Sequence, residues 1–187
     1  MADTEEKVLV YDPPLCTGCM RCMTTCSTYN TGATSLSKSR IHIARHEGYA
    51  LTNIDEESEL IFEALACQQC DKPFCMYFCP TGAISRNKDT GAMTINNDRC
   101  IGCRMCMVGC PFGAITYDAY RKRVIKCELC QGDPQCAKFC PTEALKFLSK
   151  STAHLPKRDR VLRKMVEPNP MVTEEVPVAA REESRRS

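Results

Sequence analysis

Sixteen cysteines set the chemistry open to this 187-residue chain, and they fall into four quartets. Cys16, Cys19, Cys22 and Cys26 are spaced C-x2-C-x2-C-x3-C, and Cys100, Cys103, Cys106 and Cys110 repeat that spacing. Cys67, Cys70, Cys75 and Cys79 read C-x2-C-x4-C-x3-C, while Cys127, Cys130, Cys136 and Cys140 read C-x2-C-x5-C-x3-C. No cysteine is left over. A [4Fe–4S] cube presents four irons at alternate corners, and each iron takes one soft thiolate. The C-x2-C-x2-C run wraps a tight loop around such a cube, so that three successive sulfurs reach three corners. The fourth cysteine lies a helical turn away; in two-cluster ferredoxins with this spacing it ligates the other cluster. Quartets of this kind work in pairs. The sequence therefore predicts four [4Fe–4S] clusters, with all sixteen cysteines as iron ligands.

Other uses of the cysteines fit less well. Zinc sites use C-x2-C pairs separated by longer spacers, commonly with histidine, and a zinc-stabilised interaction module is the weaker reading. The three histidines, His42, His46 and His154, are not spaced as ligands within any quartet. Catalysis by the chain itself is disfavoured. An iron–sulfur enzyme usually leaves one iron open to substrate, whereas sixteen cysteines for sixteen corners leave none. The C-x3-C-x2-C spacing of radical chemistry, a nucleophile–base pair and a phosphate-binding glycine loop are all absent from the sequence. Electron transfer needs only the clusters, whose potentials span about −700 to +450 mV according to their surroundings.

The formal charge is +2. Four clusters, each about −2 with its thiolates, would bring the loaded chain to about −6, which argues against a nucleic-acid partner. Arg21, Lys72, Arg99, Arg104, Lys126 and Lys138 stand beside the quartets, either to offset cluster charge or as ordinary solvated side chains. Met20, Met23, Met76, Met105 and Met107 also crowd the ligands, as shields from water or as soft packing.

The elements that must position these residues are short. Cys79-Pro80, Cys110-Pro111 and Cys140-Pro141 each end a helical turn, and the apolar residues that follow read as strands. Cys26 is followed by Ser27 instead, which leaves the exit of the first quartet open. Val8–Tyr11 reads as a strand, and Ile84 to Ile95 as a hairpin about Asp89-Thr90-Gly91. A second hairpin joins Ile115–Tyr117 to Arg123–Lys126. Residues 27–66 form an insertion in which Arg40–Arg45 alternates as a strand, and Asp55 to Ala66 reads as a short acidic helix. With no Trp and few Phe, the clusters themselves must supply much of the core. The fold class expected is α+β. Residues 1–150 form the four-cluster domain, with an inner module at about 67–115 and an outer module from about 5–30 and 116–150. Residues 151–187 follow as a basic helix and an extended, Pro-rich tail.

These motifs resemble the four-cluster ferredoxin-like subunits of molybdopterin or tungstopterin oxidoreductases, formate dehydrogenases and some hydrogenases. The resemblance covers roughly residues 5–150 and implies a nested pairing of first quartet with fourth and second with third. One cluster would then take Cys16, Cys19, Cys22 and Cys140, and its neighbour Cys26, Cys127, Cys130 and Cys136. The inner clusters would take Cys67, Cys70, Cys75 and Cys110, and Cys79, Cys100, Cys103 and Cys106. Spacing alone leaves sequential pairing open, because the third and fourth quartets start closer together than the second and third.

The resemblance implies a non-catalytic electron-transfer subunit, partnered by a catalytic oxidoreductase subunit and a second redox protein. A tungsten aldehyde oxidoreductase-type catalytic subunit is the favoured partner. A formate dehydrogenase or hydrogenase subunit is the nearest rival, and a freely diffusing polyferredoxin the other alternative. The first residues do not read as an export signal, and no stretch approaches the roughly 20 apolar residues of a membrane span. The expected location is the cytoplasm, where thiols stay reduced.

Overall fold

The computed structural model describes residues 6–46 and 61–155. The chain divides into two units, Met1–Ala153 and His154–Ser187. The expected basic helix and tail of the second unit, like residues 1–5, lie outside the described residues.

Among the described residues, eight strands pair into four separate two-stranded antiparallel sheets. Valines, isoleucines and aromatics favour this half-buried pleat. β1 (Lys7–Tyr11) pairs with β8 (Leu145–Ser149), in register from Lys7 opposite Ser149 to Tyr11 opposite Leu145. The two ends of the four-quartet region are thereby joined, a pairing between strands too far apart in sequence for local pattern to indicate. β4 (Ile84–Arg86) pairs with β5 (Met93–Ile95), and β6 (Ile115–Asp118) with β7 (Arg123–Lys126), as expected for the two hairpins. Side chains close both turns. Asn87 Oδ1 accepts the amides of Asp89 and Thr90 at 2.8 and 3.3 Å, and Asp118 Oδ1 those of Tyr120 and Arg121 at 3.0 and 3.1 Å.

Within the insertion, β2 (Ile41–His46) matches the expected strand. The acidic helix is not formed over its second half: Ile61–Ala66 is strand β3, paired with β2 from Ile41 opposite Ala66 to His46 opposite Ile61. Residues 55–60 lie outside the described residues. Alone, β2 would present open edges, and the Ile61-Phe62 segment supplies the strand that pairs with it. Exposure along β3 alternates with period two, as a strand requires.

Three helices are single turns: α2 (Phe74–Tyr77), α3 (Met105–Val108) and α4 (Gln135–Lys138). Each stops just before a Cys-Pro pair, where proline cannot continue the helix. The first-quartet helix, α1 (Arg21–Thr31), runs for 11 residues. With Ser27 after Cys26 nothing interrupts it until Gly32, which caps it with φ 72°. α1 packs against α4, and α2 against α3. Helices this short do not hold by themselves. Their cysteines are woven into the apolar cores: Cys22, Cys26 and Cys136 sit with Met23, Ile41, Ala66 and Leu145, and Cys106 with Ile84, Met93, Ile95, Ile115 and Val124.

Candidate metal centres

All sixteen cysteines are free thiols, and they surround four cavities, four to each. The first cavity, about 330 Å³ of space between atoms with part of it open to solvent, is lined by Cys16, Cys19, Cys22 and Cys140. The second, about 300 Å³, is lined by Cys26, Cys127, Cys130 and Cys136. Cys67, Cys70, Cys75 and Cys110 line the third, about 360 Å³. Cys79, Cys100, Cys103 and Cys106 line the fourth, about 300 Å³.

Helix geometry explains this sorting. Residues i and i+4 lie a turn apart, displaced along the axis by about 6 Å, so one helix can serve two neighbouring cavities. Cys22 and Cys26 do so on α1, and Cys136 of α4 is followed by Cys140 in the same way. Cys75 with Cys79, and Cys106 with Cys110, repeat the arrangement between the third and fourth cavities.

The four loops share one backbone conformation. The residue before the second cysteine of each quartet has positive φ: Gly18 at 68°, Gln69 at 50°, Gly102 at 69° and Leu129 at 56°. Glycine adopts this region at no steric cost, whereas Gln69 and Leu129 are held there against it. At Gly18 and Gly102 a side chain is also barred by space, since an added Cβ would meet the Phe62 ring and the Lys122 carbonyl oxygen. After the fourth cysteine, Gly82, Gly113 and Glu143 occupy matching positions with φ of 60°, 59° and 53°.

The thiols differ in their electrostatics. Burial pushes Cys22 and Cys127 up to about 12, Cys106 up to about 11, and raises Cys136 further. Burial also acts on Cys79, but the Thr81 hydroxyl and the amides of Ala83, Thr81 and Ile84 outweigh it, and the net shift is downward. Cys140 is likewise lowered: burial is outweighed by Thr142 and the amides of Leu145, Thr142 and Ala144. The contacts are direct, with Ala83 N 3.3 Å and Thr81 Oγ1 3.6 Å from Cys79 Sγ, and Thr142 Oγ1 3.8 Å from Cys140 Sγ. In the third quartet Phe112 stands where those threonines stand. Cys26 Sγ instead accepts the Arg40 amide at 3.3 Å and Asn30 Nδ2 at 3.6 Å.

Several residues around the cavities carried no sequence signal. Arg40 pairs with Glu128 at 2.8 Å on the wall of the second cavity. Arg86 Nη2 donates to the Cys70 carbonyl at 2.5 Å, and its Nη1 faces Glu6 Oε1 at 3.5 Å. Tyr11 lines the first cavity and donates to the Phe62 carbonyl at 2.5 Å, which ties the insertion to it. Gln69 is buried between Met93 and Cys127. Such contacts join residues far apart in sequence. Of the basic residues singled out in the sequence, Lys126 alone is buried; Arg104 lies over the Tyr117 ring at 3.8 Å, and Lys138 pairs with Asp133 at 2.6 Å. None of the histidines lines the four cavities.

The donor set fits iron–sulfur clusters. Among the described residues no three His, Cys, Asp or Glu side chains converge as they would on a single metal ion. Each cavity is instead lined by four thiols, one for each iron of a cube.

The comparisons with known proteins agree. Residues 58–150 match the 4Fe-4S dicluster domain, and residues 13–29 a 4Fe-4S binding domain. The chain is 34% identical over 146 residues to the NADH-dependent phenylglyoxylate dehydrogenase subunit beta of Aromatoleum evansii, covering 78% of this chain but only 31% of that relative. It is 31% identical over 157 residues to the B subunit of the anaerobic dimethyl sulfoxide reductase of Haemophilus influenzae, covering 76% of this protein and 74% of that one. Protein NrfC of Escherichia coli is 32% identical over 146 residues, with 74% of this chain and 63% of that one covered. The chain thus spans about a third of the first relative and under two thirds of NrfC.

Proposed function

Because this chain belongs to the family of 4Fe-4S dicluster iron–sulfur subunits of oxidoreductases, we propose that its four [4Fe–4S] clusters relay electrons between a catalytic tungsto- or molybdopterin subunit and a second redox partner. When bound, each cluster supplies a site that takes up and gives back one electron with little change of shape. The chain's own part is to hold the clusters in a row, keep water from them and set their potentials.

The observation that carries this reading is the partition of sixteen cysteines into four cavities of four. It supports a nested assignment: Cys16, Cys19, Cys22 and Cys140 for the first cluster, and Cys26, Cys127, Cys130 and Cys136 for the second. Cys67, Cys70, Cys75 and Cys110 hold the third, and Cys79, Cys100, Cys103 and Cys106 the fourth. The first two clusters form an outer module and the last two an inner one. Cys22 with Cys136, and Cys67 with Cys127, bring successive cavities within electrostatic reach of each other, which supports a linear order.

In this reading the catalytic subunit is of the tungsten aldehyde oxidoreductase type, on the general likeness of the chain, and the complex works in the cytoplasm. Among the described residues, no helix is long and apolar enough to cross a membrane. Anaerobic purification with iron and acid-labile sulfide analysis tests the clusters. Identification of the chain that co-purifies tests the partner: a pterin-containing subunit is expected, and a chain that purifies alone with full clusters would overturn the complex.

A further inference from the structure

Lys126 is the one lysine sealed inside the described fold, 1% exposed. A lysine is almost never fully buried without a compensating charge. Its Nζ donates to the Met93 carbonyl and, at 2.8 Å, to the Cys127 carbonyl. Among the described residues no carboxylate pairs with it. Met93 lines the third cavity and Cys127 the second, so the ammonium is anchored to one wall of each.

Gln69 bridges the same two residues, donating to the Cys127 carbonyl at 3.2 Å and accepting the Met93 amide at 2.8 Å. Cys67 of the third cavity packs against the buried group of Ala92, Leu129 and Cys127, the last of which lines the second. Two half-buried cations nearby are neutralised: Arg40 by Glu128, and Arg86 by Glu6.

Resting on the proposed cluster assignment, we infer that Lys126 is the fixed cation that raises the potentials of the second and third clusters together. Its compensating charge is the pair of clusters on either side. A cation beside a cluster favours the form carrying the added electron, so both potentials stand higher than they would without it. In the step between these clusters one electron leaves the reduced cluster on one side and enters the oxidised cluster on the other. No bond forms or breaks.

The test uses the full cluster-loaded chain and two variants, K126Q and Q69E, with iron and acid-labile sulfide measured first. K126Q removes the charge and keeps a donor. Q69E places a carboxylate beside the ammonium and cancels it. Paramagnetic resonance in a redox titration then reads four midpoint potentials, assigned with Cys26→Ser and Cys110→Ser references. The expected result is a fall in the second and third potentials equivalent to at least a tenfold change in the reduction equilibrium, about 59 mV for one electron, with the first and fourth unmoved. Full clusters with unchanged potentials, or an equal shift in all four, would overturn the inference and leave the cluster reading standing. Fewer than four clusters in the unmodified chain would instead overturn the reading beneath it. Should K126Q lose its clusters, Q69E decides alone.

Discussion

Cys22 and Cys26 stand one turn apart on α1, yet they line different cavities. Under the proposed assignment, a cluster bound through the first quartet would draw its fourth thiolate from Cys140 of the fourth quartet. Cys140→Ser is expected to change one cluster of four, the one held by Cys16, Cys19 and Cys22, with iron falling by no more than about a quarter. Paramagnetic resonance checks it. A change confined to the third or fourth cluster would refute the nested assignment.

Gly102→Ala and Gly82→Ala separate two causes of strain. Both glycines have positive φ, but only at Gly102 would a Cβ strike backbone, the Lys122 carbonyl. Gly82→Ala should cost about 1 kcal/mol, the penalty for an L-residue in this region. Gly102→Ala should cost about 2–4 kcal/mol, since the β6–β7 connection must also shift. Denaturant titrations followed by the visible absorbance of the clusters give both values. Equal costs would mean that Lys122 yields freely.

Stripping iron anaerobically should unfold the region rather than leave an empty shell. Cysteines sit inside the apolar cores, and three of the four helices are single turns. Metal-ligand bonding then supplies much of the folding free energy. Circular dichroism before and after chelation is the measurement, with loss of strand signal expected and recovery on reconstitution.

Chains that have lost a single cluster and stay folded around the remaining ones should alkylate in a set order. The thiolate is the nucleophile, so a thiol whose pKa is lowered by the fold carries more of it at neutral pH, and one whose pKa is raised carries less. Cys79 and Cys140 are shifted down, while Cys22, Cys106, Cys127 and Cys136 are shifted up. Peptide mass spectrometry after brief treatment with iodoacetamide near pH 7.5 should find the first two modified at least about tenfold faster. As pH rises from about 9 toward 12 the difference should close, because the raised thiols ionise only there.

Much of the site is legible in the sequence because ligand spacing is local. The C-x2-C runs, the Cys-Pro exits and both hairpins each depend on neighbours within a few residues, and the structure has them where the sequence puts them. The 61–66 segment misleads because its acidic neighbours suggest a helix, and only the open edge of β2, across the insertion, makes it a strand. Gln69 and Leu129 hide the shared loop conformation that Gly18 and Gly102 display, since glycine advertises a positive φ and other residues do not. Among six basic residues beside the quartets, nothing local marks Lys126. Its burial comes from Met93 and Cys127, which are brought together only when β5 and β7 pack.

The pairing of β1 with β8 bears on how the chain is made. As it leaves the ribosome, the third and fourth cavities have all their cysteines once Cys110 has emerged. The first must wait for Cys140, and its lid strand for Ser149. Under the proposed assignment, nascent Cys16, Cys19 and Cys22 would stay unsatisfied until the fourth quartet emerges, a window in which oxygen or a stray metal can reach them before their own iron is secured.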